Sequence, residues 1–184
     1  MQMIRYLIFG LAVIGCLSQC KQEKDTTFLI QSEQVGLLTK GTPSADIESL
    51  FSNDSIIRDT STSILGSSQN KIRVYQKGGD LLLTITPSKD STAVVENIQI
   101  HDPRYKTAGN ISVNSTFKDI KEAYEIRKIV TSLNNLVIFV KNSDVYFTIS
   151  KEELPGSLRY NPSLSIEAVQ IPDKARLKYM MVGW

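Results

Sequence analysis

Apolar and polar residues alternate with a period of two in several short stretches of this chain, as they do in half-buried strands. The alternation predicts two hairpins, in which residues 71–76 pair with 81–86 and residues 136–140 pair with 145–150. The connecting segments carry glycine or asparagine, which accept the positive φ of tight turns. Further strands are predicted over residues 94–100, 165–171 and 177–182.

Two other stretches carry the signals with which helices begin. Thr42-Pro43 and Ser115-Thr116 each place a hydroxyl group at a helix N-cap, and an acidic residue follows in the first turn. The predicted helices are short, covering residues 43–51 and 116–130. Each has two large apolar or aromatic side chains at i, i+4 spacing, so one helix face can pack on a sheet.

The same order of residues occurs twice, which we interpret as an internal duplication. Three blocks of residues recur in the same order. Within each block, every residue is separated from its second copy by the same number of positions. That number differs from block to block, which places the length differences in loops, where insertions are tolerated. The blocks begin at Gly36, Tyr75 and Glu96, and their second copies begin at Gly109, Phe139 and Glu167. We therefore predict an α+β fold of two tandem repeats, residues 28–104 and 105–184. Each repeat is expected to pack a short helix on an antiparallel sheet of about four strands.

The lead-in to the first helix has a characteristic sequence. Leu37-Leu38-Thr39-Lys40-Gly41-Thr42-Pro43 continues into Asp46-Ile47 and then into a hairpin. Together with the tandem arrangement, this pattern resembles the beta-lactamase-inhibitor-protein-like fold of the small SmpA/OmlA-type outer-membrane lipoproteins. The resemblance implies helix-on-sheet repeats and a concave sheet face that grips a partner protein.

The first 20 residues have the pattern of an export signal. Arg5 precedes an apolar run from Tyr6 to Gly15 that is shorter than the roughly 20 residues needed to span a bilayer. The segment resembles a bacterial lipoprotein signal, in which a small residue precedes the cysteine that receives lipid. Gly15 precedes Cys16 in that way, whereas Cys20 lies directly before the charged stretch that starts at Lys21. We favour Cys20 and keep Cys16 open; an ordinary secretory signal is the alternative.

The expected mature protein is a lipid-anchored component of the cell envelope. Residues 1–20 are the predicted signal and residues 21–27 a polar tether. By resemblance to the sorting rule of such lipoproteins, the absence of Asp after Cys16 or Cys20 indicates the outer membrane, facing the periplasm. Both cysteines of the chain lie in this segment, so no disulfide is expected in the folded part.

Charge and composition exclude several kinds of chemistry. The chain has 21 basic and 19 acidic residues, which gives no electrostatic footprint for nucleic acid. His101 is its one histidine, and neighbouring Asp102 should point to the other face of a strand, where it cannot orient the imidazole. A tetrahedral zinc site of nitrogen and sulfur ligands is excluded as well.

We expect no catalytic, metal or cofactor residues. A periplasmic hydrolase acting on envelope polymers is the alternative, and a structural spacer is a third.

One face of the hairpins is expected to form the core, with Leu81 and Leu83 among its members. The opposite face carries aromatic and amphipathic residues in place of charges, as protein interfaces do. We predict a surface that binds an unidentified envelope protein, formed by Tyr75, Leu82, Gln99, Phe139, Tyr146 and Gln170. The alternative is that a loop, a bent sheet or the other repeat covers this face and makes it a second core. Antiparallel sheets often leave one face wet, but they seldom leave this much apolar area on it.

Overall fold

The computed structural model describes residues 25–59, 70–159 and 165–184, and these form two antiparallel-rich sheets. One sheet has four strands and the other has eight. The strands are β1 (Leu29–Gln31), β2 (Gln34–Val35), β3 (Leu38–Thr39), β4 (Ser55–Asp59), β5 (Lys71–Tyr75), β6 (Leu81–Pro87), β7 (Val95–Ile100), β8 (Lys106–Thr107), β9 (Ile126–Thr131), β10 (Asn135–Val140), β11 (Val145–Ser150) and β12 (Leu177–Gly183).

The helices are short. They are α1 (Ile47–Leu50), α2 (Phe117–Ala123) and α3 (Gly156–Arg159), with 3₁₀ turns at Ser44–Asp46, Lys151–Glu153 and Ala168–Gln170. In the described ranges, no helix combines the length and the apolar character required to cross a membrane.

The prediction of an α+β fold made of two helix-on-sheet repeats is wrong, because the protein is mostly β. Two physical reasons account for the error. The predicted helix over residues 116–130 stops at Ala123, since the β-branched residues Ile126, Ile129 and Val130 pair instead as an edge strand. Strands from both halves of the chain also join one continuous sheet, so neither half has a sheet of its own.

The eight-stranded sheet has the order β4-β5-β6-β7-β12-β11-β10-β9, with every neighbouring pair antiparallel. Its two halves meet where Ile100 of β7 lies opposite Met180 of β12. The same isolated bridge precedes both central strands, Pro43 with Val94 and Thr116 with Arg176. The residue before each helical segment, Pro43 or Thr116, is therefore bridged in the same way to the start of the central strand of its own half.

The predicted strand over residues 165–171 is wrong, and so is the third block of the proposed duplication. Residues Ala168–Gln170 form a 3₁₀ turn, in which Val169 is 87% exposed. The strand that occupies the place of β7 in the second half is β12, which starts at Leu177. The segments that start at Glu96 and Glu167 are therefore similar in sequence but differ in structure, since the first lies in a strand and the second in a 3₁₀ turn.

One face of the large sheet forms the main core. A continuous apolar row crosses all eight strands on this face: Ile56, Val74, Leu83, Ile100, Met180, Phe147, Ile138 and Ile129. The six central members are at most 2% exposed. Both α1 and α2 lie on this face. For α2, Tyr124 at the end of the helix contacts the buried Phe147. For α1, Glu48 accepts a hydrogen bond from Arg58, which lies opposite the buried Ile72 in the sheet.

The small sheet, with the order β3-β2-β1-β8, ties the start of the described chain to the connection between the halves. Strand β1 runs parallel to β8, and the rings of Phe28 and Tyr105 meet edge to face, 5.0 Å apart. Gly36 has a φ of 56°, and a Cβ at this position would lie 2.4 Å from the carbonyl oxygen of Thr27. Only glycine fits this turn without moving the backbone.

Candidate functional site: the aromatic face

A second row of side chains crosses the large sheet on the face opposite the core. We call this surface the aromatic face. The strand register places one residue from each strand side by side: Ile57, Arg73, Thr84, Gln99, Met181, Tyr146, Phe139 and Lys128. Successive residues of a strand point to opposite faces, so this row and the core row alternate along every strand. Gln99, Met181, Tyr146 and Phe139, near its middle, are partly exposed.

A hydrogen bond across a strand orders the centre of the aromatic face. Nδ2 of Asn97 on β7 donates to the phenol oxygen of Tyr146 on β11, at 2.7 Å. The intervening β12 places Gly183 opposite Asn97. A Cβ at Gly183 would lie 3.4 Å from both Nδ2 of Asn97 and Cε1 of Tyr146, so the missing side chain leaves room for the bond. This contact joins the two halves of the chain.

The ring of Tyr146 is also stacked on a second aromatic ring. Its centroid lies 5.4 Å from that of Phe139, and the two planes are 24° apart. The guanidinium of Arg127 lies 5.7 Å from the centroid of Phe139, within reach of a cation–π interaction. Aromatic pairs contribute about 0.5–1.5 kcal/mol beyond the area they bury. The series Asn97, Tyr146, Phe139 and Arg127 is therefore a fixed, partly exposed array.

His101 lies on the same face and bonds to a hydroxyl group. Its Nε2 is 3.0 Å from Oγ1 of Thr84, a residue that is 9% exposed. Burial lowers the pKa of His101 below 6.5, and the positive charge of Arg73 lowers it further. The imidazole is therefore held in its neutral form at neutral pH, in which one ring nitrogen can accept the hydroxyl proton.

The carboxylate of Asp102 is directed elsewhere. Both of its oxygens accept bonds from Arg104, at distances of 2.7–3.1 Å, and these bonds lower the pKa of Asp102. Arg104 also donates to Gln76. No acid among the described residues bonds to His101, so the Thr84–His101 pair lacks the third group that orients a catalytic base. Nor do three or more His, Cys, Asp or Glu side chains converge as metal ligands in these ranges.

The charges on the aromatic face are mostly positive. Arg73 forms an ion pair with Asp59, at 3.2 Å, and Lys71 is opposite Asp59 in the register. At the other end of the row, Arg127 and Lys128 are exposed on the edge strand β9. The face therefore has an uncharged aromatic centre between two basic ends.

The structure brings together three of the six predicted binding residues. Gln99, Phe139 and Tyr146 lie in the row described above. Tyr75 lies on the same face at the end of β5, opposite Leu81, which was expected in the core. Cys16 and Cys20, the predicted lipid sites, lie outside the described residues.

Leu82 and Gln170 do not lie on the aromatic face. The register of β5 and β6 shifts between Val74 and Tyr75, which leaves Leu82 as the extra residue of a bulge. Leu82 is 4% exposed and lines a cleft with Phe51 and Tyr105, on the core side. Gln170 belongs to a 3₁₀ turn, where its side-chain oxygen accepts a bond from the backbone of Glu167.

Sequence reasoning missed four members of the site: Asn97, Met181, Gly183 and Arg127. Met181 and Gly183 were missed because the third repeat block was aligned with the wrong segment. Arg127 was assigned to a helix that the structure replaces with β9. Asn97 could have been found, since it alternates with Gln99 on the predicted strand and must share its face.

Comparisons with known proteins show the fold and nothing of the activity. No family model matches the chain, and no curated protein matches it. Among solved structures, the protein is similar to the crystal structure of the uncharacterized protein yfeY from Escherichia coli, with a TM-score of 0.56. The match has 16% sequence identity and covers 83% of this chain and 98% of that chain. At this identity the likeness shows a shared fold.

Proposed function

We propose that this protein is an exported lipoprotein of the bacterial cell envelope, and that its aromatic face binds another envelope protein without catalysing a reaction. The lipid is attached to Cys20 or Cys16, and the outer membrane, on its periplasmic side, is the proposed location. The observation that carries the binding role is the array of Asn97, Tyr146 and Phe139. It presents two stacked rings on a sheet face opposite α1 and α2.

The geometry of the array suits a binding surface. A side chain that is already fixed by a hydrogen bond and a stacked neighbour loses little conformational freedom when a partner binds. Tyrosine and arginine are among the residues that contribute most to protein interfaces, and the charged residues lie mainly toward the ends of this row. The rings of Tyr146 and Phe139 are half-buried, so a partner that covers them would remove further apolar area from water.

A hydrolase acting on envelope polymers is the second candidate, and the Thr84–His101 bond favours it. A hydroxyl group 3.0 Å from an imidazole nitrogen is the arrangement of a nucleophile and its base. The binding role is favoured over it because Thr84 is nearly buried and Asp102 is occupied by Arg104. A purely structural spacer would use neither feature.

Site-specific photo-crosslinking in intact cells tests the proposal. A photoreactive phenylalanine analogue replaces Met181, in the middle of the row, and a matched control replaces Val169, which is 87% exposed and lies outside the sheet. The proposal predicts one discrete protein adduct from position 181 and none of that mass from position 169. The same adducts from both positions would show that the contact does not depend on the aromatic face.

A further inference from the structure

A cleft of about 630 Å³ lies beside the turn between β9 and β10 and the end of β11. Three cationic side chains line it, together with one acid and two uncharged polar residues: Lys151, Arg159, Lys178, Glu152, Ser150 and Asn134. Leu133, on the same turn, is 76% exposed at the cleft. This cleft is distinct from the array of Asn97, Tyr146 and Phe139.

Lys151 is the most unusual residue of the cleft. It is 3% exposed and begins the 3₁₀ turn Lys151–Glu153, and its backbone nitrogen donates to the carbonyl of Asn134, at 2.9 Å. Within residues 25–59, 70–159 and 165–184, its ammonium group makes neither an ion pair nor a hydrogen bond. This ammonium group is therefore available to pair with an anion in the cleft that Lys151 lines.

Arg159 and Lys178 supply further donors around the same space. Nη2 of Arg159 donates to the carbonyls of Glu152 and Leu154, at 2.6 and 3.0 Å, which fixes the guanidinium plane. Its Nε is buried and has no hydrogen-bond partner in the part of the chain that the structure describes. Nζ of Lys178 donates to Oδ1 of Asn135, at 3.1 Å. One guanidinium donor and the Lys151 ammonium thus remain unused among the described residues.

We propose that this cleft binds a phosphate group, either as free phosphate or as the phosphate monoester of a lipid headgroup. Three cations face one carboxylate, so an anion of charge near −2 is better matched than a single carboxylate. A phosphate has several acceptor oxygens that point in different directions, which suits donors on three separate elements. Arginine and lysine are the usual phosphate ligands in proteins. The proposal is independent of the partner-binding role of the aromatic face.

Isothermal titration of the full chain in a non-ionic detergent tests the cleft. The probes are inorganic phosphate, dihexanoyl phosphatidic acid and, as a zwitterionic control, dihexanoyl phosphatidylcholine. We expect saturable binding of at least one of the first two. Lys151→Met, which keeps an apolar stem, should weaken binding about tenfold or more, as expected for the loss of a charged hydrogen bond. Lys89→Gln, an exposed lysine far along the chain, changes the net charge equally and should stay within about twofold.

The outcomes separate the sources of the phosphate. Binding of phosphatidic acid about tenfold tighter than inorganic phosphate assigns the site to a lipid headgroup, and equal affinities assign it to the free anion. Lys178→Gln provides a second test on an exposed position, in case Lys151→Met perturbs folding, and should weaken binding several-fold. No saturable heat with either phosphate probe would overturn the proposal. So would equal affinities for the wild type and a folded Lys178→Gln, or an equal loss in Lys89→Gln.

Discussion

Asn97 and Tyr146 belong to strands that are not neighbours, yet their side chains are hydrogen-bonded across β12. The bond is possible because Gly183 lies between them and has no side chain. Asn97 comes from the first half of the sheet and Tyr146 from the second, so the bond connects the two halves at the surface as β7 and β12 connect them through the backbone.

A double-mutant cycle measures the strength of this bond. Asn97→Ala and Tyr146→Phe should each lower the free energy of unfolding by about 1 kcal/mol, because each removes one partly buried hydrogen bond. The double variant should lose little more than one single variant, since both act on the same contact. Urea denaturation gives the free energies, and Tyr179→Phe, at a tyrosine that is 40% exposed, is the control with no expected effect. Strictly additive losses would mean that the bond does not form in solution.

Two phenylalanines on adjacent strands distinguish the aromatic face from the core. Phe147 is fully buried, so Phe147→Ala should cost about 3–5 kcal/mol of stability. Phe139 is half-buried and stacks on Tyr146, so Phe139→Ala should cost about 1 kcal/mol. Thermal or urea denaturation of both variants makes the comparison. A loss as large at Phe139 as at Phe147 would show that something covers the aromatic face and makes it a second core.

The pH dependence of stability should carry a contribution from His101. Its folded pKa lies below the unfolded value, because burial and Arg73 disfavour the charged imidazole. The unfolded chain therefore binds more protons near pH 6.5, and stability falls as the pH decreases through that region. The free energy of unfolding of His101→Gln should decline less than that of the wild type between pH 7.5 and 5.5. Parallel pH profiles would contradict the environment described for His101.

Replacement of His101 also bears on the enzyme alternative. Because the imidazole lies outside the array of Asn97, Tyr146 and Phe139 and bonds only to Thr84 among the described residues, His101→Gln should leave partner crosslinking and cell phenotype close to wild type at pH 7.5. Loss of the phenotype in a variant that remains folded and still crosslinks would favour the hydrolase.

Local patterns predicted the hairpins but not the arrangement of the sheet. The hairpins β5–β6 and β10–β11 match their predicted spans within one residue at each end, because alternation and turn residues are local signals. The pairing of β7 with β12 depends on contacts between distant segments, which a short likeness at Glu167 cannot reveal. The edge strand β9 was missed because its residues were assigned to the helix predicted over residues 116–130, and no strand was predicted at β4.

In the candidate site, too, the residues that follow from patterns along one strand were predicted, and those that depend on the order of the strands were not. Phe139, Tyr146 and Gln99 follow from alternation along their strands. The displacement of Leu82 to the core side follows from a bulge, which shifts the register by one residue and reverses the face. Nothing in the residues next to Leu82 signals that shift. Asn97 and Gly183 acquire their roles only once β12 is placed between β7 and β11.

The proposed anchor has a direct test. Replacing both Cys16 and Cys20 with Ala should abolish incorporation of labelled fatty acid, whereas one of the single replacements should retain it. The retained label identifies the modified cysteine. Labelling of the double variant at the wild-type level would contradict the lipoprotein proposal and favour an ordinary secretory signal or another lipid site.

The most direct test of the central claim is the yield of the adduct formed from position 181 when Phe139 is changed to Ala, measured beside the melting temperature. Phe147→Val, a milder change in the core, serves as the control for lost stability. If the aromatic face binds a partner, Phe139→Ala reduces the yield of the adduct severely. Its melting temperature stays close to that of the protein with Phe139 intact. An undiminished adduct in the folded Phe139→Ala variant, or an equal reduction in Phe147→Val, would contradict the account.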